Sequence, residues 1–426
     1  MMKKIDLTAG LCGIFFVIAL VACNLCFVGV ASANFSYSPT ELPYIYITPT
    51  GEITPQTSEI QCIGDTYRFS NDLYNRTLAI QKSNVVIDAA GYALVGNGVG
   101  KGIVISDVSN VTIKNAVLKN LAEGFLCQNS SNFSITENII QECNVGIHLI
   151  STQNVAINAN RIAKSLSAIE VFGSNVVSIM GNQILESKHK GITLNLGQHD
   201  MPNCNNISVL ANNITLNLET GVELFSCSNS RIEGNLITGS QNGIYLHGSL
   251  KQNNIANNTI MNNNVGLSLV SDASFNTVTG NYIADNKYGI YILESSNNLF
   301  YNNNLIDNQR NANIDSPTDI DDSPQAPFFV SEISVNTWDN GAQGNYWNNY
   351  TGTDADSNGI GDTPHSLNSN NIDRYPLMGP TEDAHVNPLN NPEQIETFPL
   401  LIVVPVALVV TTAVSVAIIY YKKKIK

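Results

Sequence analysis

Near the C-terminal end of the sequence, Asp354, Asp356, Asn358 and Asp362 stand at positions 1, 3, 5 and 9 of a calcium-loop pattern, with Gly359 at the turn position 6. Hard oxygen ligands two residues apart on a tight turn are what calcium takes. The bidentate Glu expected at position 12 is replaced by His365. The same spacing also describes an Asx-rich turn that holds no metal. A second group of side chains with chemical potential is spread over the middle of the chain. His148, Glu170 and Glu223 carry the proton-transfer and nucleophilic groups used in sugar hydrolysis. Tyr245 and Tyr291 offer aromatic faces, and His199 and Asp200 lie between Glu170 and Glu223.

Those residues share a place in a repeat. A small residue followed by apolar–any–apolar recurs as Gly102-Ile-Val-Ile, Gly124-Phe-Leu-Cys, Gly146-Ile-His-Leu, Ala168-Ile-Glu-Val and Gly191-Ile-Thr-Leu. It continues as Gly221-Val-Glu-Leu, Gly243-Ile-Tyr-Leu, Gly266-Leu-Ser-Leu and Gly289-Ile-Tyr-Ile, in steps of 22 or 23 residues with a single step of 30. A fixed period of this size marks a stacked-coil architecture. Counting the small residue as position 1, positions 2 and 4 are apolar and position 3 points outward, the alternation of a strand with one buried face. Asn recurs at position 9 (Asn110, Asn132, Asn154, Asn229) and at position 15 (Asn138, Asn160, Asn182, Asn235), each before a further apolar stretch. Asn tolerates left-handed corners, and stacked Asn side chains bond to one another. Three short strands per coil predict an all-β, right-handed parallel β-helix of about ten coils. A leucine-rich repeat would need a helix or compact loop in the second half, and a propeller blade would need about 40–45 residues.

In that fold His148 and Glu170 are expected about 4.8 Å apart and Glu170 and Glu223 about 9–10 Å apart, close to the separation of an inverting glycosidase pair. An ordinary solvated face is the plainer reading of the same column. The long coil inserts Gly197-Gln-His199-Asp200-Met-Pro-Asn-Cys204 beside it, and solenoid insertions collect on a binding face.

The organisation around the coils follows. Residues 1–33 read as an export signal, with Lys3 and Lys4, an apolar run and Ala31-Ser32-Ala33. Leu20-Val21-Ala22-Cys23 is a rival lipoprotein box. Residues 34–77 form an N-terminal cap containing the hairpin Ile60-Gln-Cys-Ile63 and Thr66-Tyr-Arg-Phe69. The β-helix spans 78–315, a C-terminal cap 316–379 and a stalk 380–399. Residues 400–421 carry no charge and are long enough to cross a bilayer, and the tail 422–426, with its four lysines, marks the cytoplasmic side. The chain is therefore expected at the cell surface, anchored by one pass, with glycans or other surface proteins as partners. A formal net charge of −14 argues against nucleic acid. Nine Asn-x-Ser/Thr sequons (Asn34, Asn75, Asn110, Asn129, Asn132, Asn206, Asn213, Asn257, Asn349) are acceptor patterns for glycosylation. The mature cysteines (Cys62, Cys127, Cys143, Cys204, Cys227) are odd in number. Cys127 reads as a buried hydrophobe, and Cys204 with Cys227 as a conceivable pair.

The coils and the stretch after them resemble the NosD-like family of β-helix proteins. The motif runs Asn336-x-Trp338-Asp339, Gly344-Asn345-Tyr346-Trp347-x-x-Tyr350-x-Gly352, Asp354-x-Asp356-x-Asn358-Gly359-Ile360-Gly361-Asp362-x-Pro364 and Asp373-x-Tyr375-Pro376-Leu377. The resemblance covers 78–379 and implies a β-helix. It also implies a link to copper, since the family's type member assists assembly of a periplasmic copper enzyme. Copper does not carry over to these residues: the six His and six Met are scattered, without His-x-His or Met-x-Met. The reading is a membrane-anchored surface module, binding or structural and directed to glycans. The alternatives are a carbohydrate-active enzyme on the His148–Glu170–Glu223 face and a copper-site maturation factor.

Overall fold

The structure, a computed structural model, describes residues 41–195, 203–249, 251–314 and 333–381. The export signal, the His199–Asp200 loop, Asn34, the stalk beyond 381 and the 400–421 segment lie outside the described residues. Among the described residues no helix is long and apolar enough to cross a membrane. Everything described is strand, turn or irregular backbone, coiled as a parallel β-helix of about ten coils. It divides into two compact units. One holds the residues up to Ser178 with Gln183–Asn205; the other holds Ile179–Asn182 and the chain from Asn206 onward.

In the first unit each coil contributes one strand to each of three sheets. The first sheet stacks Tyr44–Ile47, Thr77–Ile80, Lys101–Ser106, Glu123–Gln128, Val145–Ile150, Ser167–Phe172 and Lys190–Leu194 in parallel register. Stacking thus begins at Tyr44, within the segment read as a cap. Thr66–Phe69 and Leu73–Tyr74 likewise pair in parallel with the second and third sheets. Two antiparallel strands, Ile53–Thr54 and the hairpin arm Ile60–Ile63, lie at the edges. They cover ladders that would otherwise present unpaired N–H and C=O groups.

Positions 2 and 4 fill the interior: Ile103, Ile105, Phe125, Cys127, Ile147, Leu149, Ile169 and Val171 are all fully buried. Each large aliphatic there contributes on the order of 1.5–3 kcal/mol. The small residue at position 1 is steric, because a Cβ on Gly124 would stand 2.5 Å from the Gly146 carbonyl oxygen. Position 9 is the left-handed corner expected of it, with φ of 56° at Asn110, 53° at Asn132 and 55° at Asn154. At the second corner the structure differs from the sequence reading. The left-handed residue is position 14 (Glu137, Ala159, Gly181, Gly234), and the Asn of position 15 turns inward.

That inward Asn builds a column best seen in the second unit. The side-chain N–H of Asn182 donates to Asn212 Oδ1 (3.0 Å), and the pattern continues through Asn235, Asn258, Asn281, Asn303 and Asn345 at 2.8–2.9 Å. Each of these amides also serves a backbone carbonyl, as Asn258 Nδ2 does with Ile232 at 2.8 Å. The column satisfies buried groups that the corners leave without strand partners.

The second unit ends on the sequence motif. Trp338 stacks on Phe300 (centroids 4.4 Å apart) and lies beside Trp347, and both indoles are buried. Asp373 is buried beneath them and accepts N–H from Trp347 (2.8 Å) and from the Asn345 backbone (2.7 Å). Gly344 makes room for it, since a Cβ there would meet Asp373 Oδ1 at 1.7 Å. Arg374 donates two bonds to Asp339, at 2.9 and 2.7 Å. The residues that carry the family resemblance are therefore the closure of the core.

Cysteine placement follows burial. Cys127 and Cys143 are buried thiols, and burial pushes the Cys143 thiol up to about 11. Cys204 is a thiol as well, donating S–H to the Val171 carbonyl at 3.3 Å, so the pairing with Cys227 does not form.

Candidate functional site

The outward face of the first sheet carries the polar chemistry in both units. In the first unit His148 faces Glu170 across the ladder, as position 3 requires. Its hydrogen bond goes elsewhere, from Nδ1 to Glu123 Oε1 at 2.8 Å. A carboxylate oxygen accepts, so His148 Nδ1 is the donor in this bond. Nε2 is buried and has no partner, while the ring meets Phe172 edge-on with centroids 5.1 Å apart.

Glu123 also borders a cleft of about 560 Å³. Leu42, Leu126, Val145 and Ile150 give it apolar walls, and Tyr44, Lys101, Gln128, Asn144 and Glu41 are among its other lining residues. Tyr44 stacks on Tyr46, centroids 5.4 Å apart. Burial holds the Tyr44 hydroxyl above its ordinary pKa, and Glu41, Tyr46 and Glu123 add to the effect. Two carboxylates therefore act on one phenol that lines the cleft.

In the second unit Glu223 accepts a hydrogen bond from His247 Nε2 at 3.1 Å. His247 stacks on Tyr245 (4.6 Å) and meets the Phe225 ring edge-on (4.7 Å). The Glu223 side chain is only 6% exposed, against 20% for Glu123. Tyr291 is half-buried and separated from Tyr245 by Ser268 in the ladder. Of the residues selected from sequence, His148 and Glu170 are thus neighbours in one unit, while Glu223, Tyr245 and Tyr291 share a face in the other. His199 and Asp200 lie outside the described residues.

Sequence reasoning missed Glu123, Glu41, Tyr44 and His247. Glu123 precedes the corner glycine and by strict alternation would point inward. The register Glu123↔Val145 followed by Phe125↔Ile147 shows that the strand pairs on either side of Gly124. The side chain leaves the corner outward.

The acidic run after the coils forms an exposed turn. Asp354 accepts N–H from Asn358 (3.1 Å) and Gly359 (2.9 Å), Asp356 takes the Asn358 amide (3.0 Å), and Asp362 accepts from Ala355 (2.8 Å). The loop's own amides donate to at least one oxygen of each carboxylate. Among the described residues no three His, Cys, Asp or Glu side chains converge as metal ligands.

Comparison with known proteins agrees with this architecture. Residues 83–206 match the family model for a right handed beta helix region, and residues 201–352 match that for the periplasmic copper-binding protein NosD. This is a NosD-like parallel β-helix. Of the soft donors, His148 and His247 are tied to carboxylates, His365 packs against Trp347, and Cys127 and Cys143 are buried within the coils.

Among solved structures it is similar to the mannuronan C-5 epimerase AlgE4 A-module of Azotobacter vinelandii, at 13% identity over 64% of this chain and 87% of that one, with TM-score 0.47. The periplasmic alginate epimerase AlgG is 13% identical over 69% and 76%, TM-score 0.46. The Streptococcus pneumoniae surface protein and adhesin PfbA is 14% identical over 56% and 84%, TM-score 0.41. No curated protein matches the sequence.

Proposed function

We propose that the chain is a surface-displayed binding module for glycans and that its ligand seats in the first-unit cleft. The observation that carries this reading is the cleft's composition. Apolar walls at Leu126, Val145 and Ile150 lie next to Glu123, Gln128 and Asn144, whose oxygens and amides suit hydroxyl groups. A sugar ring has the same two aspects, an apolar C–H face and a hydroxyl edge. Display at the surface is supported by the basic start and apolar run of 1–33 and by the uncharged 400–421 segment with its lysine tail.

Glycan-array binding by the full-length chain, run beside a reducing-sugar assay, tests the proposal. Saturable binding without product is expected, weakened at least about tenfold by Tyr44→Ala, a loss of about 1.4 kcal/mol. Binding that survives both Tyr44→Ala and Glu123→Gln would remove the cleft from the account. One observation favours a second reading, hydrolysis: Glu41 and Glu123 both border the cleft, as a catalytic carboxylate pair would. Reducing ends that accumulate with the wild type and vanish with Glu123→Gln would establish it.

A further inference from the structure

We infer that the cleft selects neutral and amino sugars and rejects polyuronates. This rests on the glycan reading of the same site and adds the charge class of the ligand. Three charged groups line the cleft: Glu41, Glu123 and Lys101. Neither Glu41 nor Lys101 has an ion-pair partner among the described residues, and Glu123 gives only Oε1 to His148. The second oxygen of Glu123 is therefore available to a ligand. Lys101 is the ladder partner of Glu123, so the single positive charge sits beside a carboxylate. Glu41 and Glu123 also both act on the Tyr44 hydroxyl.

A carboxylate facing a sugar accepts from hydroxyl or ammonium groups, but it repels a carboxylate of the ligand. The surrounding field has the same sign, since the chain carries a formal net charge of −14. Half-burial matters here: the Glu123 side chain is 20% exposed, so its field is screened less than that of a surface carboxylate.

The test is binding of matched-length oligomers of glucosamine, N-acetylglucosamine and mannuronate to the full-length chain, at about 0.15 M and about 0.5 M salt. Glucosamine oligomers are expected to bind at least about tenfold tighter than mannuronate oligomers, with N-acetylglucosamine between them. The ratio narrows in the higher salt. Glu41→Gln should reduce the preference for glucosamine and leave N-acetylglucosamine binding in place. Glu137→Gln, outside the cleft, should change neither and so controls for attraction to the acidic surface as a whole. Mannuronate binding as tight as glucosamine binding, or a preference that Glu41→Gln does not move, overturns the inference alone. Absence of binding by all three oligomers overturns it together with the glycan reading.

Discussion

On the first-sheet face of one unit, Glu123 and His148 meet beside an open cleft. On the same face of the other unit, Glu223 and His247 are enclosed by Phe225 and Tyr245. The residue types are identical and the hydrogen bonds similar, at 2.8 and 3.1 Å. Burial separates them. A carboxylate with one oxygen facing a cleft can exchange water for a ligand, whereas one that is 6% exposed has already exchanged water for its histidine. The first pair is thus open to the cleft and the second is enclosed.

Five substitutions sharpen that contrast, and the largest effect sets the scale. Asn258→Ala removes an acceptor for Asn235 and a donor to Ile232 and Asn281 inside the second unit. Leaving buried partners unpaired should lower stability by about 3 kcal/mol, read from denaturant titration. Glu223→Ala should lower it by about 2 kcal/mol for the same reason, without altering ligand binding. An equal effect from Glu123→Ala would erase the distinction between the pairs; less than about 1 kcal/mol is expected there, because the Glu123 side chain, 20% exposed against 6%, keeps contact with solvent.

The cap adds a pH dependence with two signs. Burial works against ionised Asp339, but the Arg374 hydrogen bonds outweigh it and hold Asp339 below its ordinary value of 3.8. Its contribution is complete above 3.8 and lost as the pH falls through the lowered value. Asp373 behaves in the opposite way: burial raises it above 3.8, so its contribution is lost as the pH rises through the raised value. Both tryptophans of the chain lie in the cap, so their fluorescence reports its unfolding. Asp339→Asn should destabilise the cap at neutral pH and converge with the wild type only as the pH falls through the lowered Asp339 value.

The smallest effect belongs to Asp354→Ala, which should lower the unfolding midpoint slightly by removing the acceptor of the Asn358 and Gly359 amides, measured with and without calcium. A calcium-dependent rise in the wild type that is absent in Asp354→Ala would assign the loop to the cation instead.

Much of the fold was legible because its causes are local. Alternation at Ile147 and Leu149 needs only a strand with one buried face, and Asn132 at a left-handed corner needs only its own backbone preference. The inward Asn column was legible as stacking but not as burial, since position 14 rather than Asn138 or Asn160 absorbs the turn. The candidate site was less legible. Reading position 3 alone found His148 and Glu170, but the hydrogen bond runs diagonally to Glu123, across a corner where the period of two fails. Glu41 and Tyr44 reach the cleft from the first described coil, a long-range approach that no repeat pattern encodes. The motif from Asn336 to Leu377 marked a family correctly, yet its tryptophans and Asp373 serve core closure rather than chemistry.

The most direct test pairs Glu123→Gln with Glu223→Gln and measures oligosaccharide affinity and unfolding midpoint for each. Glu123→Gln should lose at least about tenfold in affinity at an unchanged midpoint, and Glu223→Gln should lose midpoint and keep affinity. The reverse pattern, with binding lost through Glu223 and retained without the Glu123 carboxylate, would contradict the account.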